Sequence, residues 1–230
     1  MLRAIIPFYR KPEQLEKCLA ALRAQTIPVE PFVHDNNVEN IGFTKAVNRG
    51  LRAAIASGDS YAIILNQDCY LEPDAAEKMV RFMHAHPRCA IGGIKQLSSR
   101  DPDEIIHGGG TTAFPQGDNY RGRISKGECA VSRQCAWVNG ACMVVRVDAV
   151  IDFGLMDDNM LLVGSDSDWC YSARWRQWEV WYIADAVCTH ETGVSGQPSP
   201  QVYQMMLRDM YYWRDKWIGT QAYNRLSKVI

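Results

Sequence analysis

The sequence predicts an α/β fold with a mostly parallel central sheet, helices on both faces and a helical tail at the C-terminus. Up to residue 96, short apolar runs alternate with segments of helical periodicity, which is typical of parallel strands joined by helices. One run, 61–65, is apolar throughout, as expected of a central strand buried on both faces. From 200 to 217, large apolar side chains recur at helical spacing, which predicts the tail helix.

The first elements follow in order from local signals. Residues 2–8 predict the first strand, and Pro12 suits the first turn of the helix after it. A second strand candidate ends at Asp35. The second helix is predicted over 42–57 and ended by Gly58, because glycine adopts the left-handed conformation that often follows a helix.

The third strand, 61–65, is followed by Pro73, which opens a third helix, and residues 89–94 predict another buried strand. Open α/β sheets bind ligands beyond the carboxyl ends of their strands. We therefore expect the chemistry of this protein just after residues 34 and 65.

The second half is less regular. Residues 97–134, rich in Gly, Ser, Asp and Arg, predict a loop-rich insertion or hairpins that cover the site. Residues 137–145 and 180–183 are strand-like, and 166–177 looks helical. The tail helix, 200–217, carries one apolar face formed by Val202, Met206, Met210, Trp213 and Trp217.

Composition excludes several classes of protein. A formal net charge of −1 lacks the basic footprint of a nucleic-acid-binding protein. No stretch approaches the roughly 20 apolar residues that span a bilayer, and the N-terminal apolar run is too short for a secretory signal. None of the eight cysteines forms a Cys-x-x-Cys pair, and several, such as Cys18, lie in apolar patterns. We expect reduced core cysteines in a cytoplasmic protein.

Two acidic residues follow the predicted strands. Asp35 suits hydrogen bonds to a base or to ribose hydroxyls, although an Asp-Asn pair is also ordinary turn chemistry. Asp68 follows the central strand and could hold Mg²⁺ or Mn²⁺ against a diphosphate, since both ions prefer oxygen ligands. The alternative for Asp68 is a capping loop before Pro73.

Two further segments carry ionisable groups. Asp166 and Asp168 stand at the start of a predicted helix, where acids are favoured as caps; one of them could cap while the other acts as a general base. His190 follows a strand. It could make a structural hydrogen bond there, or it could bind a metal ion or a phosphate.

Taken in order, these segments resemble glycosyltransferase family 2, which has the GT-A fold, and particularly its rhamnosyltransferase-like bacterial members. Residues 35–37 and 40–51 look like that family's Asp-Asn turn and Asn-x-Gly-Phe…Asn-x-Gly helix start. Residues 66–68 match the variant of its Asp-x-Asp motif with Asn first.

The second half continues the resemblance. Residues 137–143 are similar to the family's Trp-Val-x-Gly-Ala strand, 164–170 to the segment that carries its base, and 178–190 to a strand pair ending in His. No single motif is specific, but their order over residues 2–217 is.

The resemblance implies one domain over 1–230, with a nucleotide-sugar-binding half (1–96), an acceptor and catalytic half (97–198) and a helical tail (199–230). It implies inverting transfer of a sugar from a UDP- or dTDP-sugar to a hydroxyl of a glycan, lipid-linked or protein-linked acceptor, in cell-surface polysaccharide biosynthesis. The tail is rich in aromatic and basic residues, which is compatible with peripheral association with the inner face of the membrane. The alternative is that the tail is a helix packed on the core.

The resemblance also assigns residues. Asp166 is the expected base, and Mn²⁺ or Mg²⁺ is expected on Asp68, with His190 as a second ligand. The donor side comprises Pro7, Tyr9, Asp35, Asn36, Asn40, Gly42, Phe43, Lys45, Asn48, Asn66, Gln67 and Asp68. On the acceptor side the resemblance gives Trp137, Asn139, Gly140 and Asp168. A separate hypothesis adds His107 and Gly109, because the glycines at 108–110 permit a close approach to the backbone.

Two departures from the family pattern bear on these roles. Only residues 37–39 separate the Asp-Asn turn from the following motif, so base recognition is expected to differ. Ser165 stands where the family often has an acid, which removes a negative neighbour that would raise the pKa of Asp166. A non-catalytic nucleotide-sugar-binding module is the main alternative. A nucleotidyltransferase is disfavoured because residues 8–12 contain no glycine.

Overall fold

The computed structural model describes residues 1–111, 118–191 and 199–227. The first part of the chain alternates strands and helices, as predicted. Its strands are β1 (Leu2–Phe8), β2 (Glu30–Asp35), β3 (Tyr61–Leu65), β4 (Cys69–Leu71) and β5 (Cys89–Ser98). Its helices are α1 (Pro12–Arg23), α2 (Gly42–Ala56) and α3 (Ala75–Ala85).

The second part begins with short strands, which agree with the predicted hairpins. Its strands are β6 (Glu104–His107), β7 (Gly122–Arg123), β8 (Arg133–Gln134), β9 (Cys142–Arg146) and β10 (Glu179–His190). Its helices are α4 (Val147–Phe153), α5 (Ser165–Trp175), α6 (Pro200–Trp217) and α7 (Gln221–Leu226). The predicted tail helix is therefore confirmed at both ends.

One mixed sheet joins both parts of the chain. Its main path runs β2-β1-β3-β9-β5-β10-β4, with β6, β7 and β8 at its margins. β1 lies parallel to β2 and β3, and β10 lies parallel to β5. β9 is inserted antiparallel between β3 and β5. The fold class is thus confirmed, with one antiparallel strand between two parallel groups.

Two strand predictions need correction. The strand expected over 137–145 begins only at Cys142, because earlier backbone N–H groups donate to side chains: Asn139 to His107 and Gly140 to Asp166. The strand expected over 180–183 is part of the longer β10, whose register on β5 shifts between Ile183 and Val187. That irregularity hides the continuous strand from a periodicity argument.

The core lies on both faces of the sheet. On one face the buried aromatic rings of Trp169 in α5 and Trp213 in α6 belong to the same apolar cluster as Ile5 of β1. On the other face, Cys18 of α1 and Met79 of α3 are fully buried. Removing such side chains from water is the main favourable term in folding.

Most of the cysteines lie in the core, as predicted. All eight cysteines are free, and only Cys129 is not fully buried. Burial raises the pKa of Cys18 to about 12, so this thiol stays protonated and unreactive at neutral pH.

Among the described residues, none of the helices combines the length and apolar character that a bilayer crossing requires.

Candidate active site

The carboxyl ends of β1, β2 and β3 form the predicted donor edge. The register pairs Phe8 with Asp35, so the turns that follow β1 and β2 are neighbours. The side chain of Gln67, which follows β3, bonds to the backbone that follows β1. Its Oε1 accepts from the Tyr9 N–H at 2.7 Å, and its Nε2 donates to the Arg10 carbonyl at 2.8 Å. Gln67 therefore shapes the loop around Tyr9, while the Tyr9 ring itself is exposed.

The short turn after β2 is built from its own amides. The exposed Asp35 accepts from the backbone and side-chain N–H groups of Asn37, both at 2.8 Å. The buried Asn36 accepts from the Ile41 N–H at 3.1 Å, and Asn40 accepts from the Gly42 N–H at 3.0 Å. Asn36 and Asn40 thus fold the turn, which leaves Asp35 at the surface of the donor edge.

The start of α2 faces the second half of the chain. Gly42 has φ +79°, and a side chain there would lie 3.3 Å from the Leu161 carbonyl. The ring of Phe43 lies against Gly140, since a side-chain carbon on that glycine would be 3.3 Å from its Cζ. Lys45 is exposed. The donor-side helix therefore meets the residues that precede and contact Asp166.

Asn48 has a different role from the one expected. Its side chain is buried and holds Met156 on both sides: Nδ2 donates to the Met156 carbonyl at 2.8 Å, and Oδ1 accepts from the Met156 N–H at 3.0 Å. Nδ2 also donates to Asp158. Because these bonds occupy the amide, Asn48 anchors the loop before α5 and does not face a donor.

Asp68 and His190 come together from distant parts of the chain. β10 pairs antiparallel with β4, so His190 lies opposite Cys69. The Asp68 Oδ1 and His190 Nε2 atoms are 3.4 Å apart, and Cys69 supplies a third potential donor within 4.8 Å of both. Two ligands with bonds of about 2.1 Å to one cation lie roughly 3 to 4 Å apart. The Asp68–His190 pair therefore has the donor chemistry and the spacing that a divalent cation needs.

Asn66 and Pro7 are both held by contacts to neighbouring backbone. The Asn66 N–H donates to the Ala141 carbonyl at 2.8 Å, which joins the loop carrying Asp68 to the end of β9. Pro7 lies within β1, paired with His34 of β2. The first contact fixes the backbone of the loop after β3, and the second fixes the end of β1.

Asp166 stands in the first turn of α5 with both oxygens engaged. Oδ2 accepts from the Gly140 N–H at 2.9 Å and Oδ1 from the Ser167 N–H at 2.8 Å. Burial raises the pKa of this carboxyl above its usual value, and the hydrogen bonds from Gly140 and Ser167 partly oppose that rise. A carboxylate with a raised pKa is a better proton acceptor near neutral pH. The residue as a whole is only 8% exposed.

Two buried aromatic side chains, His107 and Trp137, lie close to the backbone just before Gly140. The His107 Nε2 accepts from the Asn139 N–H at 3.2 Å, and the His107 ring lies 5.2 Å from that of Trp137. Burial is the main reason that the pKa of His107 falls to about 3, so its imidazole is neutral. His107 and Trp137 are both almost fully buried. They support Asn139 and Gly140 from behind.

Two acceptor-side predictions do not fit the structure. Gly109 has φ +93°, and a side chain there would lie 2.9 Å from the Cβ of Tyr182. The protein's own packing fills that space. Asp168 turns away from the site, with its carboxylate 2.8 Å from Lys216 and 2.7 Å from the Trp217 Nε1. Asp168 therefore attaches α6 to α5, and the helix geometry gives Asp166 and Asp168 different faces.

Sequence analysis missed Asp209, which is fully buried in α6. One of its oxygens accepts three successive backbone N–H groups, from Leu161 at 3.0 Å, Leu162 at 2.7 Å and Val163 at 3.1 Å. These residues lead into α5 and Asp166. The available signal was an acid close to the apolar face of the tail helix, since buried acids are almost always paired.

Replacing Asp209 by alanine should destabilise the protein by about 3 kcal/mol or more, because three backbone N–H groups would lose a charged acceptor that is itself fully buried. The segment before Asp166 would also lose its anchor. Urea unfolding measures the first effect. Asp215→Ala is the matched control: Asp215 lies on the same helix but is exposed. Equal stability of the two variants would contradict the anchoring role.

The family model described as "Glycosyltransferase like family 2" matches residues 23–211, which include both Asp68 and Asp166. The chain belongs to this family. No curated protein matches it significantly in sequence.

Solved structures similar to this family 2 member are GT-A glycosyltransferases. A structure of GalNAc-T7 with UDP, GalNAc and Mn²⁺ has a TM-score of 0.68 at 12% identity, covering 95% of this chain and 48% of the other. Staphylococcus aureus TarS, residues 1–349 with UDP, has a TM-score of 0.60 at 14% identity, covering 98% and 69%. A structure of a longer TarS chain has a TM-score of 0.59 at 14% identity, covering 89% of this chain and 38% of TarS. The chain spans about half of GalNAc-T7, and identities this low establish the fold alone.

Proposed function

We propose that this family 2 member is an inverting, divalent-cation-dependent glycosyltransferase. It moves a sugar from a nucleotide-diphosphate sugar, UDP- or dTDP-linked, to an acceptor hydroxyl. One observation carries the proposal: residues 140–141 join the two candidate centres, through the Ala141 carbonyl to the loop of Asp68 and through the Gly140 N–H to Asp166.

The donor would lie over the edge formed by β1, β2 and β3. Tyr9, Asp35 and Lys45 are exposed there and offer an aromatic ring, a carboxylate and an ammonium group for base, ribose and phosphate. Similar structures contain UDP, and one contains Mn²⁺ as well. These ligands support a nucleotide-sugar donor, with uracil as the first candidate for its base.

Asp68 and His190 would hold Mn²⁺ or Mg²⁺. A bound divalent cation acts as a Lewis acid that neutralises charge on a diphosphate leaving group. Asp166 would accept the proton of the acceptor hydroxyl as that oxygen attacks the anomeric carbon. A single displacement by this oxygen inverts the configuration, so Asp166 serves as a base and forms no bond to the sugar.

A donor panel tests this function. We expect nucleotide release from UDP- or dTDP-sugars in the presence of Mn²⁺ and an acceptor, and little without Mn²⁺ or from GDP-sugars. The anomeric configuration of the product, read by NMR, should be opposite to that of the donor. Donor binding without cation and without turnover on any donor would instead favour the non-catalytic binding module.

The acceptor belongs to cell-surface polysaccharide synthesis in this proposal, as a glycan, a lipid-linked or a protein-linked chain, at the cytoplasmic face of the membrane. The outer face of α6 supports membrane contact: Tyr203 and Tyr211 are exposed, and Arg208 and Arg214 lie among them. Aromatic and basic residues of this kind favour an anionic interface.

The double variant Tyr203→Ser, Tyr211→Ser should co-sediment with anionic liposomes several-fold less than wild type, because each substitution removes an aromatic side chain that would contact the membrane interface. Deleting α6 is a poor test because Trp213 and Trp217 are buried in the core. Exposed Val131→Ser serves as the control. Wild-type protein that never sediments with liposomes would exclude the membrane proposal and leave the transferase proposal intact.

A further inference from the structure

Gln96 of β5 lies directly behind His190, and we propose that it is a positioning residue that keeps His190 Nε2 free to bind the cation. Gln96 is 1% exposed. Its Oε1 lies 3.3 Å from His190 Nδ1, and the parallel register pairs Gln96 with Cys188, two residues before His190. The inference rests on the proposed cation site and adds a residue behind it.

The direction of this hydrogen bond decides what His190 can do. An amide oxygen only accepts, so the neutral tautomer that makes this hydrogen bond is the one that carries its proton on Nδ1. Nε2 then has a free lone pair, 3.4 Å from Asp68 Oδ1. If the amide were reversed, its NH₂ would face Nδ1 and leave the proton on Nε2. That proton would point at Asp68 and exclude a cation between them.

Burial gives a second argument for this role. The Gln96 Nε2 atom is buried and has no hydrogen-bond partner within the described residues. A buried amide with one unsatisfied end costs stability that an apolar side chain would avoid. Packing alone therefore does not favour glutamine at position 96, whereas a hydrogen bond that orients a metal-binding histidine does.

Cation binding tests the proposal without relying on catalysis. Free Mn²⁺, measured by electron paramagnetic resonance, gives the Kd for wild type and variants. Gln96→Leu should raise the Kd for Mn²⁺ about 10- to 100-fold, which is the usual effect of removing the hydrogen-bond partner of a metal-binding residue. Gln96→Glu should stay near wild type, because its carboxylate accepts the same Nδ1–H.

Gln25→Leu is the matched control, since within the described part of the chain the Gln25 amide bonds to the backbone of Ala21, Glu72 and Ala76. It should destabilise the protein and leave the Mn²⁺ Kd unchanged. Unchanged Mn²⁺ affinity in folded Gln96→Leu would overturn the proposal.

If Gln96→Leu does not fold, nitrogen-15 NMR of the wild-type histidines decides, with His190 assigned by the signal lost in His190→Gln. The Nδ1–H form supports the proposal, and the Nε2–H form overturns it. Wild-type protein that binds no Mn²⁺ would instead refute the proposed cation site, so the two failures are distinguishable.

Discussion

Asp166→Asn should lose transfer by about 100- to 10,000-fold while still binding donor and Mn²⁺, because general base catalysis contributes about that much and an amide accepts no proton. The side chain is buried and held between the N–H groups of Gly140 and Ser167, so asparagine occupies nearly the same volume. Its NH₂ group would face one of these donors, which costs one hydrogen bond, but relief from burying a charge offsets that cost.

The measurement is kcat with saturating donor, together with the Kd of the nucleotide. Asp148→Asn is the control, an exposed acid in the first turn of α4. Full transfer by Asp166→Asn would remove Asp166 from the role of base.

Wild-type activity should also depend on the protonation of Asp166. Its pKa is raised by burial, and only the carboxylate accepts a proton, so kcat should rise with pH through a value above that of an ordinary aspartate. Stability runs the other way: between the unfolded and folded pKa values the native state retains a proton that the unfolded chain has lost, so this group's contribution falls as pH rises. Asp166→Asn should remove that part of the pH dependence of unfolding.

Asp68→Asn should abolish cation-dependent use of the donor, with turnover reduced by roughly 100-fold or more, since several kcal/mol of charge stabilisation would be lost with the cation. A neutral amide oxygen is a weaker ligand than a carboxylate, so the charged member of the Asp68–His190 pair would be lost. The Mn²⁺ Kd should rise in parallel with the loss of activity.

Excess Mn²⁺ should restore part of the activity of Asp68→Asn, because the defect lies in cation affinity. Asp74→Asn provides the control: Asp74 lies just before α3, pairs with Lys78 at 2.7 Å and has a half-exposed side chain. Wild-type Mn²⁺ affinity in Asp68→Asn would contradict the proposed site.

The sequence by itself determined most elements of the first half of the chain and the positions of the key acids. A wholly apolar run predicted β3, and Asp35 and Asp68 follow strands, where parallel sheets expose their ligand-binding edge. Asp166 was placed at a helix start by the local Gly-Ser-Asp pattern. Each of these features depends on residues close together in the chain, which periodicity and turn chemistry describe well.

The tertiary structure alone decided which polar groups meet. His190 reaches Asp68 because β10 pairs with β4, and Asn48 bonds to Met156 across 108 positions of the chain. A local pattern shows that a polar residue lies on a helix, but not which partner satisfies it. Asn48, Asp168 and Asp209 therefore proved to be anchors, since a buried polar group must find its partner wherever packing brings one.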